Sequence, residues 1–121
     1  MQDFRELKVW TKAHQLALEL YRVTAGFQTT ERYGLSQQVR RAGASIPANI
    51  AEGCGRRTRL DFARFLHTAQ GSACELEYHL LLARDLHYLD ISEHQRLNTT
   101  VTEIKRMLFS FIKRLAANPQ S

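Results

Sequence analysis

The chain has 121 residues and a formal net charge of +5, with 44% hydrophobic and 24% charged residues. That is the size of one ordinary domain, apolar enough to build a core, which excludes a disordered segment. No apolar run approaches the ~20 residues a membrane span needs, the start Met1–Glu6 has no apolar signal core, and Cys54 and Cys74 form no CxxC, so they read as reduced thiols of a cytoplasmic protein.

Asp3 and Glu6 have the spacing of an N-cap and third helical residue. From there Leu7, Trp10, Ala13, Ala17, Leu20 and Thr24 recur at three and four, with a second stripe of Val9, Leu16 and Val23. Two adjacent stripes predict a helix packed on more than one neighbour. Gly26 is the expected left-handed cap at its end. After a short connection, Thr29 or Thr30 is expected to cap a second helix with Leu35, Val39, Ala42, Ile46 and Ile50 on its inner face. It stops at Gly53 or Gly55. Thr58 with Asp61 predicts the third cap. Behind it Phe62, Leu66, Ala69, Ala73, Leu76, Leu80 and Ala83 keep the longest period in the chain, closed by residues 87–90. Ser92 with Gln95 is read as the cap of a last helix carrying Leu97, Val101, Ile104, Leu108, Phe111 and Leu115, and residues 118–121 as a frayed tail. The expected helices lie near 4–25, 30–53, 59–87 and 92–117. No segment alternates at period two, and the short connections favour antiparallel neighbours. The fold class is therefore all-α, an antiparallel up-down-up-down four-helix bundle in a single domain.

The second helix breaks several rules. Pro47 in its interior lacks an amide donor and crowds the carbonyl of Gly43. Ala42, Gly43, Ala44, Ser45 and Ala48 allow a neighbour close approach. Gln38, Arg41, Ser45, Asn49 and Glu52 fall along one stripe, and Thr68, Ser72, Glu75 and His79 along another on the third helix. Antiparallel packing about a turn near Arg56 sets Arg41 level with Ser72 and Gln38 with Glu75. A structural polar network of Gln38, Arg41, Ser45, Asn49, Glu52, Ser72 and Glu75 is expected, fixing the register of the two helices. Two solvated stripes are the simpler alternative.

Catalytic chemistry finds little support. A di-iron bundle needs Glu-x-x-His on two helices, and the chain has none. Glu75 and His79 read as a hydrogen-bonded pair. There is no phosphate loop and no Gly-x-Ser-x-Gly elbow, and Cys74 reads as a small packing residue. No catalytic residue, metal or cofactor is expected. Basic residues gather at Arg40 and Arg41, at the turn Arg56, Arg57 and Arg59, and at Lys105, Arg106, Lys113 and Arg114. Guanidinium forks suit phosphate, so Arg40, Arg56, Arg57 and Arg59 are the candidate nucleic-acid contacts. Complementing a helix dipole and keeping the bundle soluble would explain the same arginines.

The blocks Tyr33-Gly34-Leu35, Gln38–Ala42, Ser45-Ile46-Pro47-Ala48-Asn49-Ile50-Ala51-Glu52-Gly53 and Gly71–Glu77 resemble the bacterial four-helix-bundle family named after proteins encoded in intervening sequences of 23S ribosomal RNA genes. Phe4–Trp10 resembles its opening, and Gln28 stands where the family often has proline. The resemblance implies a homo-oligomer, a pentameric ring, and kinship with the basic accessory protein of diversity-generating retroelements. The function expected is a non-enzymatic oligomer that binds RNA or DNA through a basic surface. The alternative is a scaffold whose assembled surface docks another protein, its charge serving solubility.

Overall fold

The structure, a computed structural model, describes residues 2–27 and 34–117. Four helices fill it: α1 Lys8–Thr24, α2 Leu35–Cys54, α3 Arg59–Asp85 and α4 Ile91–Ala117. Each packs on the next, α4 closes back on α1, and the two diagonal pairs make no backbone approach. Cross-links run antiparallel throughout. Arg40 of α2 reaches Thr24 of α1, Ser45 meets Ser72 of α3, Phe62 meets Phe111 of α4, and Lys12 pairs with Glu103. This is the antiparallel four-helix bundle the periodicity implies.

The inner faces are those read from the sequence. Val39, Ile46, Ile50, Leu66, Ala73, Leu76, Leu80, Leu97, Val101, Ile104 and Leu108 are all fully buried, together with Leu16 and Leu20. Phe62 and Phe111 differ: they are half-buried and meet edge to face at the end of the bundle, 5.2 Å between ring centroids.

The helix ends depart from expectation in instructive ways. Asp3 does cap, accepting from the Arg5 amide at 3.0 Å, but it caps a 3₁₀ turn, Phe4–Glu6. Leu7 is extended and α1 starts after it without a side-chain cap. The break lets Phe4 fold back onto Trp10 at 4.9 Å. Gly26 is not a left-handed cap; α1 closes with Gly26 N–H to Val23 and Phe27 N–H to Thr24. The left-handed residue is His87, φ 68°, beyond α3. There the His87 amide bonds Arg84 and the Tyr88 amide bonds Ala83, a Schellman closure that ends α3 at Asp85, short of residue 87. Asp90, not Ser92, caps α4, accepting from the Glu93 amide at 2.7 Å and from the Ser92 hydroxyl at 3.1 Å. A carboxylate two residues earlier takes the Glu93 amide and starts the helix ahead of Ser92. The caps assigned to Thr29 or Thr30, the start of the second helix at residue 30, the Gln28 position and the tail 118–121 lie outside the described residues.

Thr58 behaves as expected, its Oγ1 accepting from the Asp61 amide at 3.1 Å. Thr58→Ala should cost ~1 kcal/mol, read by chemical denaturation. An unchanged midpoint would show that the turn, not the cap, holds the start of α3.

Pro47 and Gly43 are both buried inside α2. A methyl group built on Gly43 would overlap Leu20 Cδ1, so the glycine admits α1 at close range. Gly53 does the same for α3, since a Cβ there would sit 2.8 Å from Phe62 Cδ1 and 3.0 Å from Phe65 Cβ.

Candidate nucleic-acid interface

The polar stripes of α2 and α3 do face one another, one helical turn out of the predicted register. Ser45 Oγ and Ser72 Oγ lie 2.8 Å apart. Asn49 Nδ2 donates back to the Ser45 carbonyl at 2.8 Å and to its hydroxyl at 3.0 Å. Arg41 meets Glu75 at 3.8 Å rather than Ser72, and also bonds Gln38. Gln38 therefore reaches Glu75 only through Arg41. Glu75 also pairs with His79 at 3.2 Å. Glu52 stands apart: it is exposed, and its carboxylate makes no hydrogen bond or ion pair among the described residues. The serine–asparagine centre is half-buried, whereas the Arg41 and Glu75 side chains are 67% and 46% exposed. That end of the seam is solvated, so the ion pair adds little stability.

Arg40 does not belong with the turn arginines. Its Nε donates to Thr24 Oγ1 at 2.7 Å and its Nη2 to the Tyr21 carbonyl at 3.2 Å. Its guanidinium lies 4.7 Å from the Tyr21 ring centroid. It bonds one carbonyl and one hydroxyl at the end of α1 and stands ~20 Å along α2 from the turn. Arg40 is thus a strut between two helices.

Arg56, Arg57 and Arg59 lie together after α2 and at the first turn of α3. Arg56 is stacked 4.5 Å over Phe65, and Arg57 is exposed. The Arg59 Nε is buried without a hydrogen-bond partner among the described residues. Topology adds cations that sequence spacing could not place with them. In an up-down bundle the end of α4 and the start of α1 return to this same end. Lys8, Arg106, Lys113 and Arg114 join the three turn arginines there. None of the seven has a carboxylate within ion-pair distance among the described residues. Residues 2–16, 46–71 and 104–117 hold eleven Lys and Arg against four Asp and Glu. The other described residues hold five against seven. The bundle is electrically polar, with its whole positive excess at one end.

Several other cations are neutralised. Arg96 pairs with Glu19 and Glu93, Arg84 with Asp85, and Lys105 with Glu77 at 2.8 Å, a hydrogen bond that pushes the lysine pKa up. Both cysteines are free, but Cys74 faces solvent rather than packing, while Cys54 is buried. Burial, with the Asp3 charge, pushes the Cys54 thiol up, against the opposing pull of the N-terminus. His94, buried beside Cys74 in the α3–α4 cleft, is held below its ordinary value chiefly by burial. Among the described residues no three His, Cys, Asp or Glu side chains group as a metal site, and no helix is long and apolar enough to cross a membrane.

An apolar groove of ≈ 390 Å³ runs between α1 and α2, where Trp10, Leu18 and Tyr21 face Pro47, Ala48 and Ala51. Leu18 and Tyr21 are each about half exposed. Trp10 and His14 stack at 4.8 Å along its wall.

Residues 5–110 match the sequence profile of the family described as 23S rRNA-intervening sequence protein. The chain belongs to that family. It is also similar to the crystal structure of a protein of unknown function from the S23 ribosomal protein family of Bacteroides thetaiotaomicron VPI-5482. The two share 31% identity over 87% of this chain and 98% of that one, with a TM-score of 0.79. No curated protein matches. Family membership accounts for the four helices and for the Ser45–Gly53 block, now seen as the close-packed, proline-bearing half of α2. It assigns no activity.

Proposed function

We propose that this family member is a non-enzymatic, self-associating protein that binds RNA or DNA through the phosphate backbone, using the basic end of the bundle. The observation that supports this is the segregation of seven unpaired cations at one end, away from every compensating carboxylate of the bundle's middle. Arginine and lysine held this way meet phosphates and release counterions, a gain independent of sequence. Arg56, Arg57 and Arg59 keep the role expected of them, Arg106, Lys113 and Lys8 join them, and Arg40 leaves the set. Self-association is supported by the apolar α1–α2 groove and by the family resemblance, which implies a ring of five copies. A ring would multiply the field of each basic end. A cytoplasmic location fits this reading. The same groove also favours a second reading, docking of another protein, which co-purification with one stoichiometric partner and no nucleic acid would support.

Titration of fluorescent single-stranded RNA and DNA at ~50 and ~200 mM salt tests the reading. Affinity should fall steeply with salt, by a slope of ~0.7 per phosphate contact. Replacing Arg57, Arg106 and Lys113 with Gln should weaken all sequences alike and flatten the slope by about two units. Arg22→Gln, an exposed cation at the far end with no ion pair among the described residues, should change little. No binding at low salt, or a triple variant equal to the parent, would reject it.

A further inference from the structure

The basic end is not uniformly convex. Between the end of α2, the start of α3 and the last turn of α4 lies a cleft of ≈ 240 Å³ whose walls include Gln2, Cys54, Arg57, Thr58, Arg59 and Leu115. Arg56 also borders it, and no Asp or Glu lines it. The Arg59 Nε lies beneath this surface, buried and without an acceptor among the described residues. Three arginines bordering one concavity, with no carboxylate among the described residues that line it, call for an anion with several acceptor oxygens. The start of α3 adds to the field. Thr58 satisfies the Asp61 and Phe62 amides, which leaves those of Arg59 and Leu60 without an internal acceptor at a positive helix end.

The size of the cleft narrows the ligand. It falls below the ≈ 300–1,000 Å³ of pockets that enclose drug-sized molecules, a size that suits a phosphate and an adjoining sugar better than a base pair. A backbone phosphodiester brings one negative charge, while a phosphomonoester carries about −1.5 to −2 at neutral pH and three terminal oxygens. The second matches a three-arginine cleft better. We propose that this cleft is a specific site for a terminal phosphomonoester of a nucleic-acid strand. The inference rests on the nucleic-acid reading above and assigns to its turn arginines a distinct task, recognition of a strand end. Lys8, Arg106 and Lys113 then supply the end-independent backbone attraction.

Three RNA oligonucleotides of one sequence, ending in a 5′-phosphate, a 3′-phosphate or hydroxyls at both ends, are titrated against the full chain at one salt concentration. A phosphorylated strand should bind ~10-fold tighter than its hydroxyl twin, the worth of one charge-assisted contact. Arg59→Gln should erase that ratio while the hydroxyl strand still binds. Arg57→Gln carries the same test if circular dichroism shows Arg59→Gln unfolded. Lys113→Gln should lower all three affinities and keep the ratio. Equal binding of the three strands overturns the cleft and leaves the general nucleic-acid reading intact. If no strand binds, that general reading fails, and thermal shift with glycerol phosphate against chloride at matched ionic strength decides the cleft. A shift that Arg59→Gln abolishes supports it, and no shift overturns it.

Discussion

Leu20→Ala should lower unfolding free energy by about 2–5 kcal/mol, and adding Gly43→Ala should then raise it again. Leu20 is fully buried in α1, and its Cδ1 occupies the space a side chain on Gly43 would need. In the parent, Gly43→Ala gains up to ~1 kcal/mol of helix propensity. It must also push a buried leucine off its rotamer, at ~1–3 kcal/mol, so the expected net change is a loss. In the Leu20→Ala background the obstacle is gone. The new methyl then fills part of the cavity and the propensity gain remains, so the sign reverses. Urea denaturation of the four proteins reads the coupling directly. An effect of Gly43→Ala that is the same in both backgrounds would mean that α1 and α2 do not interlock at this pair.

That interlock explains what the sequence could and could not reveal. The inner stripes of all four helices were legible because burial repeats with the helical period. The small residues around Pro47 announced a close approach. The register between α2 and α3 was legible only to within one turn. Sliding a helix by three or four residues returns the same face to the same neighbour, so Arg41 meets Glu75 where Ser72 was expected while the same apolar face still points inward. Ends were the least legible, since Asp90 and Ser92 both have capping side chains and only the path of residues 87–90 chooses between them. Arg40 and Arg57 look alike as letters. Arg40 finds the Thr24 hydroxyl and Tyr21 carbonyl at the end of α1, whereas Arg57 finds no partner among the described residues. The signal that would have separated them was the topology itself. An up-down bundle gathers the start of α1, the α2–α3 turn and the end of α4 at one end, so Lys8, Arg106, Lys113 and Arg114 belong with the turn arginines.

A pair of glycine variants then tests whether close packing of α2 on α3 shapes the basic end. Gly71 sits exposed in the middle of α3, and nothing lies within 4 Å of the Cβ it lacks. Gly71→Ala should stabilise the protein by ~0.5–1 kcal/mol, from helix propensity alone. Gly53→Ala should do the opposite, by ~1–3 kcal/mol. Its methyl would press on Phe62 Cδ1 and on Phe65 Cβ, and a Cβ cannot rotate aside as a leucine tip can. The consequence reaches the arginines, because Phe62 borders the α2–α3 cleft and Phe65 carries the stacked Arg56. Moving those rings moves the guanidinium groups they seat. Gly53→Ala should therefore also reduce the preference for a phosphorylated strand end, measured at a temperature where the variant remains folded. Gly71→Ala should leave that preference at the parental value. A Gly53→Ala protein as stable as the parent would show that α3 can withdraw freely from α2. Lost stability with an unchanged end preference would separate the seating of the arginines from the packing beneath them.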